Sequence, residues 1–184
     1  TNAELLTPPA APERRMLFIG DSITCGYGNL GKPSQAAFLT AEEDGLQTYA
    51  AFTAAAFGAD AHYVCYSGKG VVKNVSGDST SCLPSLINMA SLTTYLEWDS
   101  SAWQPDIVVV NAGTNDAAAG VDKEAFSGGV TAFLDKLRRQ YPDAVLLWCY
   151  GMMNKQLDHT LQTTIEAYKS KDAQVFYLPL EDIN

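Results

Sequence analysis

Met16-Leu17-Phe18-Ile19-Gly20-Asp21-Ser22-Ile23-Thr24-Cys25-Gly26-Tyr27-Gly28 begins as an apolar run and then breaks into glycine, acid and hydroxyl. A continuously apolar run, as opposed to an alternating one, suits a strand covered on both faces, the pattern of a parallel sheet. The segment after such a strand lies at the carboxyl edge of the sheet, where open α/β folds bind ligands. Gly20 permits a close backbone approach there, and the turn presents the Ser22 hydroxyl. The same triplet has a second reading, in which Asp21 or Ser22 does no more than cap a helix.

Four further apolar runs follow at wide spacing, at 62–66, 107–111, 145–150 and 175–178. With 16–19 they predict five parallel strands. Helices are expected between them at 46–57, 84–96, 123–140 and 154–171. The third places Phe126, Val130, Phe133, Leu134 and Leu137 on one side, the spacing of a helix that packs on a sheet. Strand and helix in alternation imply right-handed crossovers and a three-layer αβα sandwich around a parallel five-stranded sheet. Residues 1–13, with Pro8, Pro9 and Pro12 and no periodicity, read as a linker from something upstream. Residues 14–184 read as one domain.

The chain of 184 residues is 47% hydrophobic and 18% charged, enough to bury one core. Its 12 basic and 21 acidic residues leave a net charge of −9. That balance argues against nucleic acid and anionic membrane surfaces, which attract a positive field. No run approaches the roughly 20 apolar residues that span a bilayer. The amino terminus lacks the basic start and apolar core of a signal peptide, which leaves open a signal already removed.

Cys25, Cys65, Cys82 and Cys149 form no C-x-x-C pair and do not cluster with histidine, so neither a structural zinc nor any other metal is expected. Cys25, Cys65 and Cys149 follow apolar runs and read as buried thiols. One disulfide is open but unassigned. Asn74-Val75-Ser76 is a glycosylation sequon, relevant if the chain is exported.

Chemistry gathers at the strand ends. Ile107–Asn111 runs into Ala112-Gly113-Thr114-Asn115-Asp116, and the second strand ends in Tyr66-Ser67-Gly68-Lys69-Gly70-Val71. Ester hydrolysis through serine needs a nucleophilic oxygen and donors for the developing oxyanion. The Ser22 amide, a Gly70 amide and the Asn115 side-chain NH₂ supply three, with Gly68 the rival for the glycine position. Asp21 and Asp116 read as acids that stabilise their turns. Tyr27, Tyr66 and Trp103 read either as a platform for a sugar ring or as wall and core.

These blocks resemble those of the GDSL, or SGNH, hydrolase superfamily: Gly20-Asp21-Ser22, Ser67-Gly68-Lys69-Gly70 and Gly113-Thr114-Asn115-Asp116. With Phe18–Gly28, Ser67–Val71 and Trp103-Gln104-Pro105-Asp106, the chain is similar more narrowly to carbohydrate esterase family 2. The resemblance implies a flavodoxin-like sandwich and a secreted serine esterase that removes acetyl groups from xylan or related plant polysaccharide. It also implies an upstream β-sandwich domain and no cofactor. Ser22 would be the nucleophile and first oxyanion donor, with Gly70 and Asn115 the others.

The superfamily's base is a histidine in a late Asp-x-x-His block after the fifth strand, and no such block occurs here. His62 and His159 read as strand and helix residues instead. The expectation is therefore a catalytic domain that stops before its histidine block. Two alternatives stand beside it: a non-catalytic sugar-binding relative, and another ester or thioester hydrolase of the superfamily. A flavodoxin-like nucleotide binder is disfavoured, because the chain has no Gly-rich loop with Lys-Ser/Thr.

Overall fold

A computed structural model describes residues 6–7, 10–32, 38–91 and 96–181. In chain order the elements are β1 (Arg15–Gly20), α1 (Ser22–Cys25), α2 (Tyr49–Phe57), β2 (Asp60–Cys65), α3 (Leu83–Leu86), β3 (Met89–Ser91), β4 (Leu96–Glu97) and β5 (Ile107–Asn111). They continue with α4 (Thr114–Ala118), α5 (Lys123–Gln140), β6 (Val145–Tyr150), α6 (Asp158–Tyr168) and β7 (Val175–Pro179). All five expected strands form. They make one parallel sheet in the order β2-β1-β5-β6-β7, with Gly20 opposite Cys65 on one side and Asn111 on the other.

Alternation along each strand sorts the core into two layers. Leu17, Ile19, Val108, Val110, Leu146 and Trp148 meet α5 and α6 through Phe126, Val130, Phe133, Leu134, Leu137, Leu161 and Ile165. Met16, Phe18, Val109 and Cys149 face the other way, against Ala50 and Ala54 of α2. The amphipathic stripe predicted for α5 is thus entirely buried. Asp122 caps this helix by accepting from the Ala125 amide at 2.8 Å. At its other end Arg138 bonds the carbonyls of Tyr141, Pro142 and Ala144 and pairs with Asp172 at 2.7 Å. Cations suit this end of a helix, where the unpaired carbonyls gather.

Three expected helices change. Residues 84–96 do not form one helix: α3 covers a single turn, and the chain then enters the antiparallel pair β3 and β4. Pro84 starts a turn well, but Asn88 and Ser91 are weak at extending it, since their side chains compete for the backbone hydrogen bonds. The helix expected from 46 opens with a 3₁₀ turn at Gly45–Gln47, and α2 begins only after the Thr48 cap. The last helix is shorter than 154–171 at both ends. β2 lies at the sheet edge and is only partly covered, unlike the doubly covered strands expected. Of the supposed linker, residues 1–5 and 8–9 lie outside the described residues.

Candidate active site

β1 leads to β2 on one side, and the chain then crosses to β5 on the other, so the sheet reverses its winding between β1 and β5. Strand ends diverge at such a point and leave a crevice. Ser22 follows β1 and Asn115 follows β5, one on each side of it. Ser22 is the first residue of α1, and Asp21 caps that helix by accepting from the Ile23 amide at 3.0 Å. The capping reading of Gly-Asp-Ser is therefore correct for Asp21, and it leaves Ser22 half-buried beside an open cavity. Gly20 is required at this bend: a Cβ there would lie 2.0 Å from Thr24 Oγ1 and 2.9 Å from the Asn111 carbonyl.

The cavity beside Ser22 has a volume of about 360 Å³ and is walled by Ile23, Tyr27, Gln47, Thr48, Tyr49, Met152 and Met153. Tyr27 is exposed and stacks on Phe38 with ring centroids 3.8 Å apart. Of the three aromatic residues weighed from sequence, only Tyr27 lines this cavity. Tyr66 is exposed, with the Lys69 ammonium over its ring. Trp103 instead donates to Asp60 at 2.7 Å and stacks on His62.

Asn115 lies on the first turn of α4, almost fully buried. Its Nδ2 donates to the Lys69 carbonyl at 2.8 Å and to Asp21 Oδ2 at 3.1 Å. Gly113 precedes its helix at the cap position, where φ is +130° and a Cβ would lie 2.9 Å from the Tyr150 ring. Only glycine meets both conditions. Asp116 accepts the amides of Val71, Val72 and Lys73 and has no solvent exposure, in keeping with its reading as a turn-stabilising acid.

Gly70 is less favourably placed than the sequence suggested. Its amide points into its own loop toward Asn74 Oδ1, 3.4 Å away, and the residue is buried. Gly68 occupies a tight turn closed by the Lys69 amide on the Tyr66 carbonyl at 3.2 Å, with φ +80°. The Gly68 amide has no hydrogen-bond partner among the described residues.

Burial pushes the Asp21 carboxyl up to about 6, and the nearby Asp116 adds to the effect. The Cys25 and Cys65 thiols share a hydrogen bond that pulls Cys25 down and pushes Cys65 up. Both are half-buried free thiols, not core cysteines as expected, whereas Cys149 is buried as expected. The sequon residue Asn74 is 3% exposed, and its Nδ2 donates to Asp78 Oδ1 at 2.9 Å and to the Thr80 carbonyl at 2.8 Å.

Neither histidine stands at Ser22. His62 pairs in register with Leu17, roughly 10 Å of strand before the β1 end at about 3.3 Å per residue. Its ring is held between Trp103 and Trp98. His159 is exposed on α6. Among the described residues no group of three or more His, Cys, Asp or Glu could hold a metal ion.

Sequence reasoning missed Gln47, Tyr49 and the Met152-Met153 pair as cavity walls. Nothing local marks them, because they arrive from the 3₁₀ turn before α2, from the start of α2 and from the turn after β6.

The chain matches the GDSL-like Lipase/Acylhydrolase family over residues 18–177. It is 35% identical over 153 residues to the cellulase/esterase CelE of Acetivibrio thermocellus, covering 83% of this chain and 19% of that protein. A solved family two carbohydrate esterase from Clostridium thermocellum, in complex with cellohexaose, has a TM-score of 0.93 at 30% identity, covering 98% of this chain and 58% of that one. An acetyl xylan esterase from the rumen bacterium Butyrivibrio proteoclasticus has a TM-score of 0.88 at 27% identity, covering 100% of this chain and 59% of that one. The chain thus spans 19% of the curated relative and just under three fifths of each solved structure. With the family match running from β1 to β7 and its motifs converging at one sheet edge, this chain belongs to the GDSL-like lipase/acylhydrolase family.

Proposed function

We propose that residues 14–184 are catalytic-domain sequence of a secreted serine carbohydrate esterase that removes O-acetyl groups from xylan or a related plant polysaccharide. One observation carries the reading: a hydroxyl at the head of α1 and a carboxamide at the head of α4 flank the sheet's switch point, joined through Asp21. Similarity to an acetyl xylan esterase and to a family two carbohydrate esterase bound to cellohexaose supports sugar esters as the substrate class. An exposed aromatic pair, Tyr27 and Phe38, beside the Ser22 cavity suits the same class.

In this mechanism Ser22 Oγ attacks the acetyl carbonyl, and the developing oxyanion is held by the Ser22 amide and Asn115 Nδ2. Gly68 serves as the third donor in place of Gly70, whose amide is turned toward Asn74. Collapse of the tetrahedral adduct releases the sugar hydroxyl, and water then hydrolyses the acetyl-serine. Serine needs a base within hydrogen-bond reach. We assign that role to a histidine on polypeptide following β7, which ends at the same sheet edge as β1 because the two strands run parallel. An upstream β-sandwich domain belongs to the same proposal.

The test is acetate release from acetylated xylan and from p-nitrophenyl acetate, using the chain extended through the coding region after residue 184. Wild type should turn over both substrates and Ser22→Ala neither. Equal rates for the two proteins would remove Ser22 from the mechanism, and sugar binding without turnover would favour the non-catalytic relative.

A further inference from the structure

We propose that Asp21 is a positioning residue for ester cleavage, whose buried carboxylate sets the rotation of the Asn115 carboxamide relative to Ser22. The inference rests on the esterase reading above. An asparagine side chain turns easily about its last torsion, which has broad, shallow minima. The orientation of its NH₂ is therefore set by what the two hydrogens meet. Asn115 Nδ2 donates to the Lys69 carbonyl, 2.8 Å away, and to Asp21 Oδ2, 3.1 Å away. The second oxygen of Asp21 accepts the Ile23 amide at 3.0 Å, at the head of the helix that starts with Ser22. One carboxylate thus spans the nucleophile's helix and the oxyanion donor, the latter 94 residues from Asp21 in sequence.

A cap alone would not call for an acid. Asparagine and serine cap about as well as aspartate and carry no charge, and Asp21 is only 1% exposed. None of the ion pairs among the described residues involves it, and the Lys69 ammonium is turned away to the Thr80 carbonyl at 2.9 Å. The titratable groups that face it are Asp116 of α4, Cys25 of α1, Cys65 of β2 and Tyr49 of α2, none of them a cation. What the carboxylate offers is acceptance on both oxygens. An amide or a protonated carboxyl presents a hydrogen to one of the two donors and displaces it. When the oxyanion forms, it draws on the Asn115 hydrogen shared with Asp21, the longer of the two bonds.

The decisive variant is Asp21→Asn, which keeps an acceptor for Ile23 but sets an NH₂ against the Asn115 NH₂. In ¹⁵N-labelled protein, the Asn115 side-chain amide signals of wild type should titrate with a midpoint near the value of about 6 set by Asp21. The inflection should vanish in Asp21→Asn. A wild-type signal without inflection, or one that persists in the variant, overturns the proposal.

Acetate release by the extended chain supplies the second arm. Here kcat should fall roughly 10–100-fold, as for a misplaced catalytic group, with KM little changed. An unchanged kcat overturns the proposal. If wild type itself releases no acetate, the esterase reading fails, and the amide titration alone decides whether Asp21 positions Asn115.

Discussion

The carboxylate of Asp116, in the first turn of α4, accepts the amide of Val72 at 2.7 Å. The neighbouring amides of Val71 and Lys73 reach the same carboxylate at 2.8 and 3.0 Å. Beside it, Asn115 holds the Lys69 carbonyl. Two consecutive side chains on one short helix therefore fold the loop after β2 into place, and that loop carries both glycines considered as oxyanion donors.

Asp116→Ala leaves one buried and two partly buried amides with no acceptor. At roughly 1–3 kcal/mol for a buried donor left unsatisfied, with smaller additions from the two partly buried amides, a stability loss of about 2–4 kcal/mol is expected. Urea unfolding monitored by tryptophan fluorescence measures it. A loss below about 1 kcal/mol would mean that water or a rearranged loop replaces the carboxylate.

Gly113→Ala combines a positive φ with a Cβ driven against Tyr150 at 2.9 Å. Backbone strain of this kind costs about 1–3 kcal/mol, and the ring contact adds to it. The midpoint of thermal unfolding should fall. The damage should be larger than for Gly128→Ala, where a Cβ meets nothing within 4 Å and helix propensity improves.

The pH dependence of Asp21 has a definite sign. Its carboxyl is raised from 3.8 to about 6 in the folded protein, so its contribution to stability is fully present below the unfolded value and is lost as pH rises through 6. A shift from 3.8 to 6 corresponds to an upper bound of about 3 kcal/mol, at about 1.4 kcal/mol per unit. Relative to wild type, Asp21→Asn should therefore gain stability between pH 4 and pH 7. Urea titrations of both proteins at the two pH values measure the difference, and a gap that does not widen toward pH 7 contradicts the burial of a charged Asp21.

Asn74 should stay unmodified even in a host that glycosylates sequons. Its carboxamide nitrogen is buried and bonded to Asp78 and Thr80. Intact mass after secretion from a eukaryotic host should show no glycan at this position. Asn74→Asp, which replaces that nitrogen by an acceptor facing Asp78, should destabilise the 74–80 turn.

Much of this was legible in the chain. Apolar runs marked all five strands, most clearly the inner strands β1, β5 and β6, because doubly covered strands need little polarity, and the α5 stripe was readable because burial against a sheet imposes a 3.6-residue period. Residues 84–96 misled because an apolar-rich stretch with a starting proline resembles a helix until its weak helix formers are counted. The choice between Gly68 and Gly70 was open for another reason. Sequence sets which residues a turn contains but not the direction of each amide, and here the Gly70 amide points toward Asn74 Oδ1, 3.4 Å away.

By itself, the sequence determined the five strands and their parallel layering, and with them the delivery of Ser22 and Asn115 to one edge. These come from local periodicity and from chain connectivity, which both act along the chain. Only the tertiary structure decided that Asp21 reaches Asn115, that Asp116 gathers three amides from the loop after β2, and that His62 stacks on Trp103 far from Ser22. Those pairings join residues distant in sequence, and their hydrogen bonds depend on side-chain direction and loop torsions that packing sets only once the sheet has formed.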